Sequence, residues 1–161
     1  EPGDFQRMFS GDYIEHQELN PWDEPARVIQ IWFVASRHYQ GLPPHYQQLG
    51  KGQLPKRRID DADVYSLIGG DSPMDSHIEG RLTATFVPQN GKTTIETPQF
   101  GESLFLYVTD GSGTVHYDGQ DIQLNQYDVI LARPDMNIST IEGTSKTELS
   151  FLNFYLPTFV Y

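Results

Sequence analysis

From residue 81 to residue 156 the chain repeats one pattern: short runs of alternating apolar and polar residues, separated by dipeptides that tolerate positive φ. A period of two sends successive side chains to opposite faces of an extended backbone, so such runs can bury one face and wet the other only as β-strands. Asn90-Gly91, Asp110-Gly111, Asp118-Gly119 and Glu142-Gly143 suit tight hairpin turns and mark four corners. Convincing helical periodicity is hard to find anywhere. The chain is therefore read as all-β, with strands expected at 5–9, 13–20, 26–34, 81–87, 92–97, 103–108, 113–117, 121–124, 128–131, 136–141 and 147–156. This even spacing suits a sandwich or barrel.

Between residues 36 and 80 the alternation lapses into Pro43-Pro44, Gly50, Gly52, Pro55, Gly69-Gly70 and Pro73. One apolar stretch, residues 64–68, interrupts it, which predicts a long connector holding a single short strand. The chain is divided near residue 80 on this ground. It opens Glu1-Pro2-Gly3-Asp4 and enters a strand-like segment at once, so it is expected to begin partway through a domain.

Composition narrows the function classes. At 161 residues the chain is one domain or slightly more, and its nine Phe, nine Tyr and two Trp supply bulky core material. No apolar run approaches the roughly 18 residues of a membrane-spanning helix. The 22 acidic against 11 basic residues give a net charge of -11, which repels phosphate backbones and anionic lipid, so neither nucleic acid nor membrane is expected as a partner. The single basic cluster, Lys56-Arg57-Arg58, reads as a solvated turn ahead of Asp60, Asp61 and Asp63. Without cysteine there are no disulfides, thiolate ligands or thiol nucleophiles, and a cytoplasmic location is expected. Any metal must then be held by His, carboxylate, carbonyl or water.

Of the five histidines, only His16 sits in a strand-like run beside another ligand-type residue at same-face spacing. In Ile14-Glu15-His16-Gln17-Glu18, alternation would bring His16 and Glu18 to one strand face, where an imidazole nitrogen and a carboxylate can share a divalent ion. The alternative for so short a motif is an exposed polar strand face. His38 and His45 are read as solvated or packed on an aromatic ring, His77 as a loop residue and His116 as a surface or satisfied strand residue. There is no Gly-x-Ser-x-Gly elbow, and Gly111-Ser112-Gly113 is a hairpin turn rather than a phosphate loop.

Three segments in order carry a family resemblance: Ile14-x-His16-x-Glu18-x-Asn20, then Gln30-Ile31-Trp32, then Pro44-His45-Tyr46-Gln47-Gln48. Their succession resembles the pirin family of bicupins, and the meander from residue 81 looks like that family's second cupin. The resemblance implies a cupin-type double-stranded β-helix, or jelly-roll sandwich, with one complete cupin plus part of another. Residues 1–35 would be the C-terminal part of the first, metal-type cupin, residues 36–80 the connector and residues 81–161 a second, metal-free cupin. In keeping with that, residues 97–103 hold no histidine, and neither does Pro134-Asp135-Met136-Asn137.

The resemblance further implies a divalent metal ion, iron foremost with nickel, zinc, manganese and copper as alternatives. Its later His-x-Glu ligand pair maps to His16 and Glu18, while the family's upstream His-x-His pair has no counterpart in this sequence. The implied activity is that of a quercetin 2,3-dioxygenase-type oxidoreductase acting on a small aromatic or enolic substrate, with Glu18 as ligand and proton acceptor. The alternative is a non-catalytic binding or regulatory module with a vestigial metal site. A homo-oligomer or strand-swapped dimer is expected, since a shortened sandwich leaves an edge and an apolar face uncovered, most of all at residues 26–34.

Overall fold

A computed structural model describes residues 3–117, 119–133, 138–143 and 147–158. Twelve strands and two short 3-10 turns, Arg37–Tyr39 and Lys51–Gln53, make up its regular structure. No helix among the described residues is long and apolar enough to cross a membrane.

The strands are β1 (Phe5–Phe9), β2 (His45–Leu49), β3 (Lys56–Ile59), β4 (Ala62–Ile68), β5 (Arg81–Val87), β6 (Lys92–Thr94), β7 (Glu102–Asp110), β8 (Ser112–Tyr117), β9 (Gln120–Asn125), β10 (Val129–Ala132), β11 (Ile138–Gly143) and β12 (Leu149–Pro157). They form a β1-β2 ribbon, a six-stranded sheet ordered β10-β7-β12-β5-β4-β3 and a four-stranded sheet ordered β6-β11-β8-β9. Every pairing is antiparallel.

Alternation explains where the core sits. On β7, Leu104, Leu106 and Val108 point inward with Leu149, Phe151 and Tyr155 of β12, Val115 of β8 and Leu124 of β9, closing the sandwich between the two large sheets. Each such side chain, once fully buried, contributes roughly 1.5–3 kcal/mol. The intervening residues, Tyr107 on β7 and Leu152, Phe154 and Leu156 on β12, face the other way. There they form a second apolar layer with Leu54, Leu67, Leu82, Phe5, Leu49, Ile31 and Phe33. Through Phe5, Ile31, Phe33, Leu49 and Leu54 the N-terminal arm thus packs on the outer face of the six-stranded sheet.

At the corner between β7 and β8, Gly111 has φ 79°, and a Cβ there would run into the carbonyl of Glu148. The turn between β3 and β4 is tied to the opposite sheet: Asp60 accepts from the backbone N–H (2.7 Å) and hydroxyl (2.8 Å) of Thr94, and Asp61 from the N–H of Lys92. The Thr94 hydroxyl and N–H hold the Asp60 carboxyl below its ordinary pKa.

Several expectations are corrected. Residues 13–20 and 26–34 are not strands; neither run has a neighbouring strand to take its N–H and C=O groups, and alternation without a ladder partner does not make a strand. Residues 36–80 hold β2, β3 and β4, of which β3 and β4 are integral to the six-stranded sheet. Lys56-Arg57-Arg58 lies in β3 rather than a turn, and all three are ion-paired, Lys56 and Arg58 with Asp63 and Arg57 with Glu96. Glu142-Gly143 is no corner: both residues lie in β11, opposite Thr114 and Gly113. Asp118, at another expected corner, and residues 134–137, at the start of the expected strand 136–141, lie outside the described residues.

Candidate functional site

The structure places His16 and Glu18 in a solvent-exposed coil, so the strand alternation that would aim them at one point is absent. The Glu18 carboxylate instead accepts a hydrogen bond from the Gln6 amide at 2.9 Å. Among the described residues no group of three His, Asp or Glu side chains is close enough to hold a metal ion. The pair as folded gathers no third donor from the described residues, and one of its two members is already engaged by Gln6.

Other histidines are brought together. β1 and β2 pair so that Arg7 faces Gln47, and the Arg7 guanidinium reaches Nδ1 of His77 at 2.6 Å, Nδ1 of His45 at 2.9 Å and the Gln47 carbonyl oxygen at 3.0 Å. Both imidazoles therefore accept from Arg7 through Nδ1 and carry their protons on Nε2. Asp75 adds a carboxylate 3.5 Å from His45. The His77 ring stacks on Phe9 and meets Tyr39 edge-on; burial and the neighbouring Arg7 charge hold its pKa below the ordinary value. Rather than lying free in solvent, His45 joins this clasp, which fastens the β1-β2 ribbon to residues 74–78. His38 packs on Tyr39, and His116 bonds Asp121 at 2.6 Å across the β8-β9 pair, each as its sequence context led us to expect.

Two spaces could receive a ligand. Inside the sandwich, β5 and β12 contribute Thr83, Thr85, Asn153 and Tyr155 to a polar void of about 10 Å³, room for about one water. Over it the Glu96 carboxylate joins Arg57 (2.8 Å) and Arg81 (2.6 Å), and the Arg81 guanidinium lies 3.5 Å from the centre of the Tyr155 ring. Burial opposes ionisation of Glu96, but the hydrogen bonds from Arg57 and Arg81 outweigh it and hold the carboxyl below its ordinary pKa. Burial, then the Glu96 charge, raises the Tyr155 phenol.

The second space is far larger. Residues 27–36 form a strap across the outer face of the six-stranded sheet. One end is held by the Arg27–Asp110 ion pair (3.1 Å), the other by the Ser36 N–H donating to the His77 carbonyl (3.0 Å). In between, Ile31 and Phe33 pack into the second apolar layer, whereas Trp32 is 80% exposed. Strap and sheet enclose a groove of about 450 Å³ lined by Ile29, Gln30, Ile31, Trp32, Phe33, Phe105, Tyr107, Phe154 and Leu156. That volume is in the range of small-molecule sites, and five of its nine lining residues are aromatic.

Comparison with known proteins agrees with this architecture. The chain is 29% identical to rat (Rattus norvegicus) Pirin over 126 residues, covering 76% of this chain and 42% of that protein. It is 23% identical to Arabidopsis thaliana Pirin-like protein 2 over 156 residues, covering 93% of this chain and 48% of that one. A family model described as the AraC-like ligand binding domain matches residues 96–160. Among solved structures, a cupin-superfamily sugar phosphate isomerase from Silicibacter pomeroyi superposes with a TM-score of 0.56 at 14% identity, over 70% of this chain and 76% of that one. A predicted oxalate decarboxylase from Thermotoga maritima superposes with a TM-score of 0.54 at 20% identity, over 66% of this chain and 96% of that one.

The chain has a cupin fold and is similar to pirins. It spans less than half the length of these two curated relatives. Within the pirin-like chain, Gln30-Ile31-Trp32 of the resemblance builds the strap wall of the groove, and His45 and Gln47 of the third segment belong to the Arg7 clasp. Sequence reasoning passed over Arg7, Asp75, Glu96 and Asn153, whose partners lie 15 to 70 residues away. The one available signal was the Gln30-Ile31-Trp32 segment itself, which marked the strap without revealing what it covers.

Proposed function

We propose that this pirin-like chain is a small-molecule binding module whose ligand is a planar aromatic compound, received in the groove between the strap and strands β7 and β12. The observation that carries this reading is the contrast in size: about 450 Å³ between aromatic walls outside the sheet, against about 10 Å³ inside the sandwich. Phe105 and Phe154 meet edge-to-face at 5.4 Å and Phe33 tilts over Phe154 at 6.2 Å, so the groove floor presents ring faces and edges on which a flat ligand can stack. Gln30 supplies amide donor and acceptor groups for the phenolic or enolic oxygens of such a ligand. The match of residues 96–160 to a ligand-binding family model supports a binding role.

Titration with quercetin, followed by Trp fluorescence, tests this. Saturable quenching is expected, weakened about tenfold or more by Tyr107→Ala, as loss of one stacking face implies. Quercetin affinity equal in the wild type and in Tyr107→Ala would overturn the assignment to this groove.

The pirin likeness supports a second reading, a metal-dependent dioxygenase of the quercetinase type that uses His16 and Glu18 as two of its ligands. Such an enzyme needs donors beyond those the described residues gather, and an iron, nickel, zinc, manganese or copper ion would there hold the substrate for oxidation. Elemental analysis of purified protein decides between the two: a stoichiometric metal lost in His16→Ala supports the enzyme, and a metal-free wild type supports the binding module alone.

A further inference from the structure

The void inside the sandwich has a chemistry unlike the groove outside it. Asn153, on β12, is only 4% exposed. Its amide NH₂ donates to Thr85 Oγ1 at 3.0 Å and Thr83 Oγ1 at 3.3 Å, while its Oδ1 is buried with no hydrogen-bond partner. A buried amide oxygen left without a donor is costly and uncommon in folded proteins, and this one lines the same space as Arg57, Glu96 and Tyr155.

Above it the two guanidiniums of Arg57 and Arg81 meet on the single carboxylate of Glu96. Paired cations converging on one carboxylate make a carboxylate site whoever supplies the carboxylate. Glu96 stands in the coil between β6 and β7, outside any ladder. Its backbone is anchored separately, through the Tyr155 hydroxyl donating to its carbonyl at 3.1 Å, so the side chain can swing outward with the main chain in place.

We propose that this end of the sandwich binds a small 2-hydroxycarboxylate and that Glu96 fills the place of the ligand's carboxylate when none is bound. The incoming carboxylate takes over the hydrogen bonds of Arg57 and Arg81, and its neighbouring hydroxyl donates to Asn153 Oδ1, which can only accept. One carboxylate replaces another on the arginines, so the charge balance of the Arg57–Arg81–Glu102 surroundings is preserved. Ile59, Val64 and Ile95 wall the void, whose water-sized space admits the ligand's hydroxyl alone, while the carboxylate takes the volume that the Glu96 side chain leaves.

Glycolate and acetate are the probes, differing only in the hydroxyl that Asn153 would accept. Glycolate is expected to shift the Asn153 side-chain amide resonances of the wild type saturably, and to bind Glu96→Ala about tenfold more tightly because the internal competitor is gone. In that background Asn153→Ala should reduce glycolate affinity to that of acetate and leave acetate unchanged. If Glu96→Ala does not fold, Glu96→Gln keeps the shape, removes the charge and is expected to tighten glycolate binding likewise. Equal affinity for glycolate and acetate in the Glu96 variant, or an Asn153 amide that does not respond to glycolate, would overturn the proposal. So would a Glu96→Gln variant that binds no more tightly than the wild type.

Discussion

The sandwich and the strap-bearing arm are built from similar residues and differ in what their backbones do. Residues 56–157 carry ten strands, and inward side chains of β7, β8, β9 and β12 meet between two sheets. Residues 3–55 hold two strands in a ribbon, and Val28, Trp32 and Val34 stand exposed to water. The run at 26–34 is as apolar as the run at 103–108, yet only the latter has neighbours on both sides, β10 and β12. Apolar patterning decides which face a strand buries, while a ladder partner decides whether the strand exists.

The largest effect that tests this contrast is a core truncation. Phe151→Ala should remove about 3–5 kcal/mol of stability in urea unfolding, whereas Trp32→Ala in the strap should change it by less than about 0.5 kcal/mol. Comparable losses at both positions would erase the distinction between the regions. Next comes the β7-β8 corner. Gly111→Ala must adopt positive φ and displace the Glu148 carbonyl, and we expect it to cost about 1–3 kcal/mol, read as a lower unfolding midpoint with unchanged slope.

The arm has its own fastening in the Arg7 clasp. Arg7→Ala removes the guanidinium donor to His77 and leaves Gln47 with the Asp75 N–H alone, so amide hydrogen exchange in β1 and β2 should quicken while exchange in β7 and β12 stays the same. Acidity should act at the same place. Burial and Arg7 hold the folded His77 pKa below its ordinary value of 6.5, so the folded ring takes a proton less readily than the unfolded one. The stabilisation is fully present above that ordinary value and is lost as pH falls below it toward the folded pKa. Lower protection of β1 and β2 amides at pH about 5.5 than at pH about 7.5, after correction for the intrinsic pH dependence of exchange and abolished in His77→Gln, checks the sign.

The smallest effect is expected at His16 and Glu18, where alanine should alter stability by under about 0.5 kcal/mol because both side chains stand in water. A larger change would place them in a packed or liganded environment.

The all-β class and the strands from residue 81 onward could be read from the chain, because hairpin partners are near neighbours in sequence and turn residues announce them. β3 and β4 were harder: β3 is a run of three cations whose strand character comes from pairing with β4 and from Asp60 and Asp61 reaching across to β6. The candidate sites were least legible. Arg7 meets His77 across 70 residues and Arg57 of β3 meets Glu96 in the coil after β6, and no local spacing encodes either meeting. His16 and Glu18 stood out because a period-2 argument applies only to a strand, and their segment is not one.

The six-stranded sheet also ends differently on its two sides. At one edge, β3 lines Lys56, Arg57 and Arg58 along its length, each already engaged by a carboxylate, and a strand arriving there would have to disrupt those pairs. At the other edge, β10 offers Val129 and Leu131, 49% and 63% exposed, with no charged residue in the strand itself. Among the described residues the sheet is thus guarded by paired charges on the β3 side and carries none on the β10 side, so an extended chain arriving from outside would meet less resistance at β10.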